Sequence, residues 1–98
     1  MNDTHDPAEA PFELRPFIDD DGRLRQWPAK MKKQLAAFAW LATLFEFGRE
    51  YSEKEVNEIL RGAHTFEDWA LLRRGLYDHR YLDRESDGSR YRRIARPD

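Results

Sequence analysis

Apolar residues recur along this chain at helical spacing three times, two short segments around an Asp-Gly turn follow, and that order predicts its elements. The segment from Ala29 to about Phe47 has no breaker before Gly48, and Pro28 suits the first turn of a helix. At about 100° per residue, Met31, Leu35, Phe38, Ala42 and Phe45 share one face of that helix, with Leu41 at its edge. Trp40, Leu44 and Phe47 share roughly the opposite face. Two apolar faces need two coverings. Later helices can supply one, and Phe12, Leu14 and Phe17, or a second copy of the chain, can supply the other.

Ser52 and Glu55 have the spacing of a capping box, in which each side chain satisfies an orphan N–H at a helix start. Val56, Ile59 and Leu60 follow, and Gly62 can end that second helix. Thr65, with Asp68 three residues on, signals a third helix running to about Arg80, with Trp69, Leu72 and Leu76 facing inward. Its outer side then carries Glu67, Leu71, Arg74 and Asp78, with Asp68 and Gly75 at one edge. Tyr81 to Glu85 and Arg90 to Ile94 flank Ser86-Asp87-Gly88-Ser89, whose Asp-Gly step tolerates positive φ, so a β-hairpin closes the pattern. The predicted fold is α+β: a winged helix-turn-helix of three helices with a small antiparallel sheet.

Before the long helix, Pro7, Pro11 and Pro16 stand among acids, a composition that predicts a flexible arm over residues 1–16 and a single domain over 17–98. Phe17-Ile18 and Arg23-Leu24-Arg25, around the run Asp19-Asp20-Asp21-Gly22, predict a short turn whose edge pairs with Tyr51 or the wing. Contiguous acids do not match an EF-hand loop, and the twelfth residue from Asp19 is Lys30 rather than Glu, so a solvated turn is expected there.

Composition narrows the function classes. The chain has 98 residues, enough for one core, with 37% charged residues and a mean hydropathy of -0.94. No apolar run approaches the roughly 18 to 20 residues that span a bilayer, so neither a membrane nor a leader is expected and the cytoplasm is the expected compartment. No cysteine is present, which removes disulfides, thiolate metal sites and thiol nucleophiles. His5, His64 and His79 are scattered, and no Gly-rich phosphate loop or nucleophile elbow occurs. No cofactor, no metal and no enzymatic activity are expected, and His64 reads as a packing or capping neighbour of Thr65.

Charge is uneven. Residues 1–21 hold seven acids and one Arg, a net -6, whereas residues 22–98 hold twelve acids and sixteen bases, a net +4. An acidic tail beside a basic body can mark a nucleic-acid-binding protein, and it equally describes a solvated tail beside an ordinary surface. Lys30, Lys32 and Lys33 sit where the helix macrodipole is positive, a placement that disfavours cations by roughly 0.3 to 1 kcal/mol each unless a phosphate lies nearby. Arg23, Arg25 and Arg49 would add to that charge. On the wing, Arg90, Arg92 and Arg93 can lie along a sugar-phosphate backbone, or equally protect an exposed strand edge. Arg74 is the one base-edge candidate on the outer side of the third helix, which otherwise leads with carboxylates.

Two readings follow. In the first, a DNA-binding or transcription-associated module contacts double-stranded DNA through Lys30, Lys32, Lys33, Arg74, Arg90, Arg92 and Arg93. In the second, the scaffold binds a protein partner, or a second copy of itself, through Trp40, Leu44 and Phe47 or through Glu67, Asp68 and Leu71, without reading DNA sequence.

Several strings carry a resemblance: Gly22-Arg23-Leu24, Pro28, Lys30 with Lys32-Lys33, Phe45-Glu46 and Gly48-Arg49. To these add Tyr51-Ser52-Glu53-Lys54-Glu55-Val56-Asn57 with Ile59-Leu60, then Leu72-Arg73-Arg74 with Asp78. From about Phe17 to Ile94 the chain resembles a bacterial family known as domain of unknown function 2087. The resemblance implies a compact winged-helix module of the kind found alone or attached to transcriptional regulators, and implies no activity. Members often end the wing in Tyr-Trp-Arg; here Tyr91-Arg92-Arg93 makes it more basic.

Overall fold

A computed structural model describes residues 10–95. A 3-10 helix spans Phe12–Phe17, followed by α1 (Met31–Ala42), β1 (Glu50–Ser52), α2 (Glu53–Arg61), α3 (Trp69–Asp78), β2 (Leu82–Arg84) and β3 (Arg90–Arg93). The three strands form one antiparallel sheet in the order β1-β3-β2. Helix-turn-helix followed by a two-stranded wing is the winged-helix arrangement that the sequence predicted; the short strand β1, paired to the wing, adds a third strand that it did not.

The capping box is present as read. Ser52 Oγ accepts from the Glu55 N–H at 3.0 Å, and Glu55 Oε1 accepts from the Ser52 N–H at 2.8 Å. Val56 and Leu60 are buried, and α2 stops at the Gly62 C-cap.

Two helices are shorter than predicted, for identifiable reasons. Helix α1 ends at Ala42 because Thr43, Leu44 and Phe45 each donate three residues back, to Trp40, Leu41 and Ala42, which tightens the chain into a turn. That turn swings Phe45 into the core, edge-on to Tyr51 at 5.1 Å, and the Tyr51 hydroxyl accepts from the Glu46 N–H at 2.8 Å. At its other end, Lys30 is the N-cap and Pro28 is buried outside the helix, its carbonyl accepting from Gln34 Nε2 at 2.9 Å.

Helix α3 begins at Trp69, not at Thr65. Residues 63–65 are extended instead, because Leu24 donates to the Ala63 carbonyl at 2.8 Å and accepts from the Thr65 N–H at 3.0 Å. Glu67 then turns with φ 54°, and Asp68 becomes the N-cap, its carboxylate accepting from the Leu71 N–H at 3.3 Å. The turn at residues 18–24 therefore pairs with His64, where pairing with Tyr51 or the wing was expected. Asp19 closes that turn by accepting from the N–H groups of Asp21 and Arg23, both at 2.9 Å.

Part of the expected arm lies among the described residues. The 3-10 helix packs on α1, with Leu14 fully buried and Ala10 nearly so. Leu14 belongs to the same core as Trp40, so the N-terminal segment supplies cover for the second apolar face of α1. Residues 1–9 of the expected arm lie outside the described residues.

Gly75 sets the spacing of α1 and α3. A Cβ at this position would collide with the tip of the Phe38 ring at Cζ and Cε1, so only glycine lets the two helices approach this closely.

Candidate nucleic-acid and partner-binding surfaces

The wing places its arginines in a charge lattice. Register sets Arg92 of β3 between Glu50 of β1 and Asp83 of β2 on the outer face of the sheet. Its guanidinium reaches Glu85 at 2.9 Å, Asp83 at 3.5 Å and Glu50 at 3.9 Å. Arg90 pairs with Glu50 at 2.9 Å. Arg93 points to the inner face, donates to the Phe45 carbonyl at 3.2 Å and lies over the Phe47 ring at 4.0 Å. Cross-strand opposite charges stabilise a sheet locally; Arg90 and Arg92 share their charge with carboxylates, whereas Arg93 meets a carbonyl and a ring.

On α3, Arg74 pairs with Asp78 one turn on at 3.6 Å and is otherwise exposed. Arg73 turns the other way, donating to Asn57 Oδ1 and lying 3.9 Å from Glu53, so it braces α3 against α2. Asp68, Leu71, Arg74 and Asp78 line one side of α3, with Leu71 39% exposed, whereas Glu67 lies before the helix and lines a different cleft.

Of the other interface candidates, Trp40 is only 5% exposed and Leu44 half-buried, so that face is spent inside the chain. Phe47 stays 57% exposed beneath Arg93.

The lysines at the start of α1 differ from the arginines. Lys30 and Lys32 are exposed and Lys33 is half-buried, the first turn holds no acid, and none of the three makes an ion pair among the described residues. Arg25 and Arg49, expected to add to them, are engaged elsewhere. Arg25 donates to the Pro16 carbonyl at 2.6 Å, and Arg49 lies over Tyr51 at 4.6 Å and 3.9 Å from Glu55.

Sequence reasoning did not find the join between α2 and α3. His64, 3% exposed, bridges the two helices: its Nδ1 lies 2.6 Å from the Leu60 carbonyl and its Nε2 accepts from the Asp68 N–H at 2.9 Å. Both contacts are satisfied by a neutral ring carrying its proton on Nδ1. Beside it, Arg23, Arg61, Thr65, Glu67 and Trp69 line a cleft of about 460 Å³ with His64. The sequence hints were two: His64 reads as a packing or capping neighbour, and Arg23 falls within the Gly22-Arg23-Leu24 string.

Fold and surface define the class as a small winged-helix module. The chain belongs to the bacterial family described as uncharacterized protein conserved in bacteria (DUF2087), which matches residues 23–93. No curated protein and no solved structure matches the chain. Among the described residues, no helix is long and apolar enough to cross a membrane, and no group of three or more His, Cys, Asp or Glu is placed to hold a metal ion.

Proposed function

We propose that this chain is a non-catalytic, DNA-associated module of the transcription-regulatory kind, which grips the phosphates of duplex DNA more than it reads bases. The observation that carries this reading is the unneutralised cluster Lys30, Lys32 and Lys33 at the positive end of α1, on a scaffold whose other candidate cations are mostly paired. Arg74 is the sole base-edge candidate on α3, and it is already shared with Asp78, so sequence preference should be weak.

The test is anisotropy of a labelled mixed-sequence duplex across a salt series. Replacing the three lysines with Ala should weaken binding and reduce the slope of log K against log salt by about 2 to 3, near 0.9 per lost phosphate contact. An unchanged affinity and slope would refute this assignment.

A second reading is favoured by one observation: Leu71 is exposed on the outer side of α3 beside Asp68 and Asp78, where Arg74 is the one cation and is paired with Asp78. That face suits a protein partner carrying an apolar residue ringed by basic ones. Duplex binding absent from the intact chain would move the assignment to this surface.

A further inference from the structure

We infer that the cleft between Arg23 and Arg61 is a binding site for a singly charged phosphodiester group. It stands apart from the lysine cluster and does not rest on the DNA reading. Most arginines of the wing and α3 meet a carboxylate or a backbone carbonyl, whereas the guanidiniums of Arg23 and Arg61 make no ion pair among the described residues, although both line one cleft.

The Arg61 guanidinium carbon lies over the Trp69 ring at 4.1 Å, which restrains the side chain while leaving N–H donors without a carboxylate partner among the described residues, and a guanidinium suits a bidentate oxyanion. Thr65, exposed in the same cleft, adds a hydroxyl donor.

The walls are preset. Arg23 and Thr65 stand far apart in sequence, and the two Leu24 hydrogen bonds to residues 63 and 65 hold them together before any ligand arrives. Preorganised donors bind an anion without an ordering cost on binding.

Charge selects the ligand. Glu67 also lines the cleft, and His64 uses both ring nitrogens within the fold, so two guanidiniums against one carboxylate leave a net +1. That sum matches a phosphodiester, with one negative charge, better than a phosphate monoester, with close to two. The volume admits a nucleotide-sized group. Such a group can come from a free cyclic nucleotide or from a DNA backbone.

The experiment follows amide and indole shifts of the isotope-labelled full chain with two probes, 3′,5′-cyclic adenosine monophosphate and a mixed-sequence duplex. Shifts at Arg61, Thr65 and the Trp69 indole are expected. If the cyclic nucleotide produces them the source is a free ligand; if only the duplex does, the source is backbone phosphate. In the double variant Arg23→Gln with Arg61→Gln the affinity should fall at least about tenfold, the scale of a lost charge-assisted hydrogen bond. Thr65→Glu, which keeps both arginines and places a carboxylate at an exposed site beside them, should weaken binding similarly, guarding against a fold defect in the double variant. Replacing Lys30, Lys32 and Lys33 should leave the cyclic-nucleotide shifts intact, which separates failure of the DNA reading from failure of this one. Silence at the cleft with both probes, or affinity unchanged in the double variant and in Thr65→Glu, would overturn the inference.

Discussion

Gly75→Ala tests the closest approach in the fold, because two effects of opposite sign meet there. In an exposed helix, replacing Gly with Ala stabilises by about 0.8 to 1 kcal/mol through helix propensity. Here the added methyl group collides with Cζ and Cε1 of the Phe38 ring. That ring has little room to retreat: it is 4% exposed and stands between Trp27 at 5.0 Å and His79 at 5.2 Å. Overpacking of this kind costs about 1 to 3 kcal/mol, and a clash with ring atoms belongs near the top of that range. The net expectation is a loss of about 2 kcal/mol. In urea, with a slope of about 1 to 2 kcal/mol/M for a domain this small, the midpoint should fall by roughly 1 to 2 M. Phe38→Leu in the Gly75→Ala background should return part of the loss, because the smaller side chain makes room for the new Cβ, giving a favourable coupling of at least about 0.5 kcal/mol. A Gly75→Ala protein more stable than its parent would mean propensity decides the outcome, and would refute the close packing of α1 on α3.

Three further outcomes are expected. Ser52→Ala removes one half of the capping box and should cost about 1 kcal/mol, a fall of about 4 to 8 °C in Tm by circular dichroism. His64→Leu takes the ring acceptor from the Asp68 N–H, while the Leu60 carbonyl keeps its bond from the Ala63 N–H at 3.0 Å. With one part-buried donor left unsatisfied the loss should be about 1 to 3 kcal/mol, read as a fall in Tm, and an unchanged Tm would refute the bridge. Asp87 is held below the usual carboxylate range, first by the Ser89 hydroxyl and then by the Ser89 N–H. A depressed folded pKa contributes stability that is present above the unfolded value and lost as pH falls through the folded one. Carboxyl NMR should therefore show Asp87 titrating below an unperturbed Asp, with Ser89→Ala moving it upward; no movement would refute the hydroxyl's role.

The fold was legible wherever a local rule coincided with the tertiary result. Ser52 and Glu55 announced α2 by spacing alone, and Asp87-Gly88 announced the wing because positive φ at Gly88 has a chemical signature. The start of α3 was misread because nothing local reveals that Leu24 pairs with residues 63 and 65, and Glu67, unlike Gly or Asn, gives no sign of a left-handed turn. The candidate lysines could be read because a cation at a helix start is conspicuous in sequence. The fate of the wing arginines could not, since it depends on register and on the turn: Arg92 meets Glu50 and Asp83 opposite it on the neighbouring strands and Glu85 beyond β2. Gly75 was visible as a glycine inside an amphipathic helix, but its reason lies in Phe38, on another helix.

The strand order β1-β3-β2 places the last strand made at the centre of the sheet. During synthesis, β1 and β2 both leave the ribosome with the strand they flank still missing, and the sheet has no nucleus until Arg93 has emerged. The helices can begin to dock earlier, α2 under its own cap and α1 on its N-terminal cover. Between those moments Tyr51, buried in the finished protein, waits without its partner Tyr91, and the growing chain offers an open strand edge with an aromatic at its middle. Assembly of this protein is therefore a race between β3 and any other extended segment that meets β1 first, and slow translation of residues 84–93 would lengthen that exposure.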